Sequence, residues 1–235
     1  MSPTEAAGRA EAWGVAGSAP DRARCKAVAA AVLTVPSLVF GAAGYLIIGL
    51  AAVIPALVAL LVAFLTLRTA ATAAVGSLDP RPAEDARLLN IVSGLSADLG
   101  REPPATFVVR GEGPNAALFW RGGGPAIGVT TQAVTGLART ELEAMIAHCL
   151  VRLDPAVGGL DRSALTLGGT FRPCAHGVTE ADDARTAAIT RYPPALAKAI
   201  EKAVPASGRF SYLWFVAEGP SHAPVEERIG ALGEL

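Results

Sequence analysis

The feature that most constrains the fold is an uncharged stretch, because no Asp, Glu, Lys or Arg occurs from Ala27 to Leu67. A helix crosses the hydrocarbon core of a bilayer with about 20 apolar residues, and this stretch is roughly twice that long. It therefore predicts a hairpin of two transmembrane helices over residues 27–68. A buried hairpin in a soluble protein is the alternative, but soluble helices rarely stay apolar on every face.

Positive charge flanks both outer ends of this stretch, with a basic cluster over 22–26 before it and Arg68 after it. By the positive-inside rule, both termini then face the cytoplasm. The sequence thus predicts a multi-pass protein of the cell membrane, with the lipid bilayer as a partner, a flexible tail over 1–26 and a cytoplasmic domain over 77–235. The three cysteines are widely spaced, which suits a reducing compartment. The net charge of −1 gives no indication of nucleic-acid binding.

The segment 77–235 predicts an α+β domain that is mostly helical with a small antiparallel sheet. Short runs rich in β-branched and aromatic residues, bounded by Gly and Pro, predict strands over 106–110, 116–120 and 125–130. An extended segment is predicted at 212–216. Apolar residues that recur at spacings of three and four predict helices over 83–99, 131–138, 140–153, 179–189, 193–204 and 224–235.

The helix over 140–153 carries the most informative pattern. A capping box, Thr140-x-x-Glu143, is expected to start it. Zinc peptidases read H-E-x-x-H on such a helix, where two His hold the metal and the Glu polarises the attacking water. Here the same five positions read His148-Cys149-Leu150-Val151-Arg152. On its own, a histidine beside an apolar helix stripe is more often structural than functional.

Several segments taken together resemble the HtpX-type membrane zinc metallopeptidases, relatives of the CaaX prenyl proteases. The resemblance covers roughly 27–235 and rests on the order of its pieces. These pieces are the apolar hairpin, Pro114-Asn115-Ala116, Gly128-Val129-Thr130-Thr131, Glu141 to His148, Asp183 followed by Thr190-Arg191-Tyr192-Pro193 and Ala195-Leu196, and a closing pattern that contains His222 and Arg228.

This resemblance implies three zinc ligands and a Glu base, and the chain departs from most of them. The family's base falls at Cys149 and its second His at Arg152. Its third ligand, a Glu four residues before a helical Asp, falls at Thr179 when counted back from Asp183. His148 is retained, and the side chains that could substitute as ligands are Glu180, His176 and Cys174.

Arg152 decides between these alternatives, because a guanidinium stays protonated and has no lone pair to give a metal. We expect Arg152 to fill the metal position and to form an ion pair with Glu180, Asp182 or Asp183. No cofactor is then expected, and zinc is expected only under the alternative of an altered metal site. Cys149 and His148 are adjacent on a helix, so their side chains point about 100° apart and do not form a nucleophile–base pair.

The predicted function is therefore that of a catalytically inactive homologue of zinc metallopeptidases. It would bind a peptide or a membrane-protein partner, or regulate an active protease. The candidate peptide-binding edge is the start of the strand over 116–120, at Asn115, Ala116, Ala117 and Leu118. The alternatives are an active zinc-dependent membrane endopeptidase with non-standard ligands and a structural membrane module.

Overall fold

The computed structural model describes residues 34–35, 38–39, 42, 53–121, 124–153, 178–208, 210–219 and 222–235. The predicted tail over 1–26 lies outside the described residues, and so do two of the candidate ligands, Cys174 and His176.

The described chain consists of helices and four short strands, in an order close to the predicted one. Its elements are α1 (Val53–Ser77), β1 (Arg81–Pro82), α2 (Ala86–Asp98), β2 (Ala105–Val109), β3 (Ala116–Arg121), β4 (Gly124–Thr130), α3 (Thr131–Gly136), α4 (Arg139–Arg152), α5 (Glu180–Thr190), α6 (Pro193–Lys202), a 3₁₀ turn (Ser211–Leu213) and α7 (Val225–Gly233). The α+β class is confirmed. The segment 212–216, predicted to be extended, begins instead inside the 3₁₀ turn.

The predicted transmembrane hairpin over 27–68 is not found in the described part of the chain, and most of its first span lies outside that part, since of residues 27–52 only 34–35, 38–39 and 42 are described. Within the part of the chain that the structure describes, no helix combines the length and the apolar character needed to cross a membrane. Helix α1 begins inside the predicted second span but continues to Ser77, through a segment that contains Arg68 and several Thr and Ala residues.

The sheet is mixed, which corrects the prediction of an antiparallel one. Its strand order is β1-β2-β4-β3. Strands β3 and β4 form an antiparallel hairpin, with Leu118 opposite Ile127, and β1 is antiparallel to β2. The hairpin folds back so that β4, and not β3, lies beside β2, and these two strands run parallel with Val109 opposite Thr130.

The two faces of the sheet contribute to different apolar clusters, because successive side chains on a strand point to opposite faces. Leu118 and Ile127 belong to the main core, which also contains buried residues of the helices α2, α4 and α6. Phe119 belongs to a second cluster with Val109 and Tyr212. The end of α1 packs against this second cluster.

Helix α4 is the central helix of the main core, and the apolar residues predicted to face inward are buried: Leu142, Met145, Ile146 and Cys149. The helix begins one residue earlier than predicted. Glu141, and not Glu143, occupies the third helical position, and its Oε2 accepts a hydrogen bond from the backbone N–H of Ala138 at 2.9 Å. The Glu141 carboxylate also pairs with Lys202 at 2.7 Å, which links the start of α4 to the end of α6.

Candidate functional site

His148 lies in the last part of α4 and is completely buried. Its Nδ1 is 3.2 Å from Oδ1 of Asp183. Since an ionised carboxylate can only accept, we assign the ring proton to Nδ1 and the lone pair to Nε2. Among the described residues, this Nε2 is buried and has no hydrogen-bond partner. Burial lowers the pKa of His148 despite the opposing effect of Asp183, so the ring is neutral near pH 7.

Asp183 in α5 is held by Arg228 of α7 in a two-pronged ion pair. Nε of Arg228 donates to Oδ2 at 2.7 Å, and a terminal nitrogen donates to Oδ1 at 2.9 Å. Both side chains are buried. Burial by itself would raise the pKa of Asp183, but hydrogen bonds from Arg228 and His148 outweigh it and hold the pKa below its usual value. The ion pair therefore joins the two helices and orients the imidazole of His148.

Arg152, in the last turn of α4, is 1% exposed and binds backbone carbonyls. Its two terminal nitrogens donate to the carbonyl oxygen of Tyr212 at 2.6 Å and to that of Trp214 at 3.1 Å. The predicted ion pair between Arg152 and Asp183 is not formed among the described residues, because Arg228 engages both oxygens of Asp183. Of the other two predicted partners, Glu180 is exposed in the first turn of α5, and Oδ2 of Asp182 accepts from the N–H and the hydroxyl of Thr179 at 3.1 and 2.9 Å.

His222 contacts the same backbone segment. Its Nε2 lies 2.9 Å from the carbonyl oxygen of Trp214, so Nε2 carries the proton. Its Nδ1 is buried and has no hydrogen-bond partner among the described residues. Burial, together with the charges of Arg152 and Arg228, lowers the pKa of His222 to about 3, against the raising effect of the Trp214 carbonyl. The structure thus brings His148, Arg152, His222 and Arg228 together around residues 212–215.

The two remaining positions that the sequence resemblance assigned to a metal site, Cys149 and Thr179, carry groups of little reactivity. Cys149 is buried, and burial raises the pKa of its thiol to about 12 against the lowering effect of Arg152. Thr179 precedes α5, and its hydroxyl donates to Oδ2 of Asp182 at 2.9 Å. The thiol therefore stays protonated at neutral pH, and the threonine serves to start a helix.

Zinc needs three or four nitrogen, sulfur or carboxylate ligands that converge on one point. Within the described residues, no group of three or more His, Cys, Asp and Glu side chains meets that need. His148 offers one free lone pair, but Asp183 is fully engaged by Arg228 and His148. The guanidinium of Arg152 adds positive charge near His148 without a ligand atom. The described residues therefore do not fit a catalytic zinc ion.

The candidate peptide-binding edge at Asn115, Ala116, Ala117 and Leu118 is buried and in part already paired. The N–H of Phe215 donates to the carbonyl of Ala116 at 2.8 Å, and Ala117 forms an antiparallel bridge with Trp214. Residues 214 and 215 thus occupy the place along the start of β3 where an added strand would lie. The structure does not offer an open edge at these four residues.

Asn115 fixes this arrangement, a role that the sequence pattern around it does not indicate. Its side-chain nitrogen donates to the carbonyls of Val204 and Val216 at 2.7 and 2.8 Å. Its side-chain oxygen accepts from the N–H groups of Ala116 and Val216 at 2.8 and 3.2 Å. One buried amide therefore ties three separate segments of the chain together.

A cavity of about 320 Å³ lies next to this junction. Ala117 and Phe119 of β3 form one wall together with the end of α1. The connection over 110–113 forms a second wall, and residues 204–207, 210, 213 and 214 form a third. Its apolar lining includes Ala117, Phe119, Phe210, Leu213 and Trp214, and its charged lining residues are Arg110 and Glu112. Both charged residues are exposed.

No protein-family model, no curated protein and no solved structure matches this chain. The site is therefore interpreted from its own geometry. A signal for the Asp183–Arg228 pair was present in the sequence, since Arg228 interrupts the apolar stripe of the last helix at a position that faces inward. A buried guanidinium there needs a buried carboxylate.

Proposed function

We propose that this domain is a non-catalytic relative of the zinc metallopeptidases that binds a peptide or protein partner. The observation that carries the proposal is the position of Arg152. Its guanidinium is buried one helical turn after His148, and its hydrogen bonds to the carbonyls of Tyr212 and Trp214 hold it there. In the zinc peptidase motif, that position supplies the second metal ligand.

Electrostatics support the loss of zinc. A guanidinium cannot give up its proton at accessible pH, so it remains a cation beside the position a metal would take. At a separation of about 4 Å and an effective dielectric of about 20, each unit of metal charge meets about 4 kcal/mol of repulsion. This cost adds to the lost ligation at positions 152 and 179. The protonated thiol of Cys149 cannot act as the general base either.

One observation favours the alternative of a zinc-dependent peptidase. Metal-binding histidines commonly donate their second ring nitrogen to a carboxylate, which fixes the tautomer and aims the free lone pair. His148 is held in this way by Asp183, at 3.2 Å. If the proposed function holds, the contact between His148 and Asp183 is present because the Asp183–Arg228 pair stabilises the fold.

Metal content separates the two functions. We would measure zinc in the purified full-length protein, in His148→Ala and in His222→Ala as a matched control, and assay peptidase activity on the same samples. The proposal expects far less than one zinc per chain and no activity in all three. About one zinc per chain in the wild type, lost in His148→Ala and kept in His222→Ala, would establish the alternative.

A further inference from the structure

We infer that the cavity beside β3 receives one large apolar side chain, best an aromatic one, from a peptide segment of the partner. This inference rests on the proposed function, because it names the ligand of the binding module. It also moves the binding site, from the closed start of the β3 edge to the neighbouring cavity.

The walls of the cavity are held in place by contacts within the protein. Asn115 ties the wall at Val204 to the segment at Val216 through its side-chain nitrogen. The connection over 110–113 approaches closely because it contains glycines. A Cβ on Gly113 would overlap the side chain of Val204, and one on Gly111 would come within 2.5 Å of Thr130. A cavity with such walls exists before the ligand arrives, so binding does not have to organise it.

The size of the cavity suits a large side chain. Ligand sites in proteins have volumes of roughly 300–1,000 Å³, and this cavity of about 320 Å³ lies at the lower limit. An apolar cavity of about 150 Å³ already holds benzene, so this one has room for a large aromatic side chain. The flanking backbone of a peptide would have to stay outside, at the mouth.

The chemistry of the lining favours an aromatic ring. Phe210 and Trp214 are partly exposed and offer aromatic surface on which another aromatic ring packs well, while Phe119 in the same lining is fully buried. The amide of Asn115 has its donors and its acceptor engaged within the protein, so it cannot select a polar ligand. Arg110 and Glu112 are exposed and opposite in charge, so together they favour neither a cation nor an anion. They suit the N–H and C=O groups of a peptide backbone.

The experiment uses the full-length protein and two synthetic probes, acetyl-Gly-Gly-Phe-Gly-Gly-amide and the same peptide with Ala in place of Phe. Binding is followed by ligand-observed NMR titration. The Phe peptide is expected to bind saturably and at least ten times more tightly than the Ala peptide. Equal binding of the two peptides, or no saturable binding of the Phe peptide, would overturn the inference.

Two matched variants locate the binding. Val204 and Leu89 are similarly exposed, at 39% and 40%, but Val204 lines the cavity while Leu89 lies on α2. Val204→Glu should weaken the Phe peptide at least tenfold, whereas Leu89→Glu should leave its affinity unchanged. An equal effect of the two variants counts against the cavity as the site. Phe210→Ala, which removes part of the aromatic lining, replaces Val204→Glu if that variant does not fold.

The result is independent of the metal measurement. Zinc bound to a protein that also binds the Phe peptide would contradict the proposed function and leave the cavity as a peptide site. A zinc-free protein that does not bind the Phe peptide would keep the non-catalytic domain and overturn the ligand class.

Discussion

Asp183→Asn tests the ion pair that organises the site. The substitution keeps the shape of the side chain but removes the charge that compensates Arg228, which is 1% exposed. It also removes one of the two acceptors that Arg228 uses, at 2.7 and 2.9 Å, because one carboxylate oxygen becomes an NH₂ group. Loss of one partner from a buried ion pair costs about 3–5 kcal/mol, since the other charge stays buried. We expect a loss in that range.

Urea unfolding at pH 7 measures this loss as a fall in the midpoint at constant slope. Arg228→Met should cost a similar amount, and the double variant should cost at least about 2 kcal/mol less than the sum of the two, because neither charge is then left alone. Arg81→Met is the control, since Arg81 and Asp79 pair at 3.0 Å with side chains that are 76% and 58% exposed. It should change stability by less than about 1 kcal/mol. Additive single losses, or an Asp183→Asn effect as small as the control, would refute the argument.

Three further substitutions test other parts of the structure. Burial lowers the pKa of His222 to about 3, below the value of about 6.5 in an unfolded chain. The stability that the neutral ring contributes should therefore be complete above pH 6.5 and should fall below it, by about 1.4 kcal/mol per pH unit for this group. His222→Asn should flatten that slope between pH 6 and 4 in urea titrations. Gly128→Ala should lower the free energy of unfolding by about 1–3 kcal/mol, because the new Cβ would lie 2.5 Å from Val109 and 2.8 Å from Phe119. An unchanged melting temperature would contradict this close packing. Arg191→Gly should stabilise the protein by about 1 kcal/mol, because Arg191 ends α5 with a φ of 57°, a backbone conformation that costs a non-glycine residue about that much. Calorimetry would detect the change, and a loss of stability would show that the arginine side chain contributes more.

Local patterns in the sequence were sufficient to predict most of the helices and strands. The stripe of Leu142, Met145, Ile146 and Cys149 predicted both the helix and its buried face, and both are confirmed. The start of that helix was misplaced because the spacing of Thr140 and Glu143 also fits a capping box. The tertiary contact of Glu141 with Lys202 favours the earlier start.

The arrangement of the strands depends on contacts that no local pattern contains. A hairpin of β3 and β4 is predictable from two adjacent strands and a glycine-rich turn. Which of its strands lies beside β2 is decided by the connection over 110–115, where the Thr130 hydroxyl accepts from the N–H of Asn115 at 3.0 Å and donates to the carbonyl of Gly113 at 2.9 Å. The parallel pairing of β2 with β4 follows from that crossing, and the prediction of an antiparallel sheet missed it.

The ion pair was assigned to the wrong arginine for a related reason. Arg152 and Arg228 both sit beside an apolar helix stripe, and Asp183 can satisfy only one of them. Helix α7 places Arg228 where its Nε and a terminal nitrogen donate to both carboxylate oxygens of Asp183. Arg152 therefore does not pair with this carboxylate. Arg152 then needs other acceptors, and the carbonyls of Tyr212 and Trp214 supply them. Those same residues are held at the edge of β3 through Ala117. The segment that binds the Arg152 guanidinium therefore also closes the start of the β3 edge, through the Ala117–Trp214 bridge and the bond from Phe215 to Ala116, and this supports the proposal that a partner binds elsewhere on the domain.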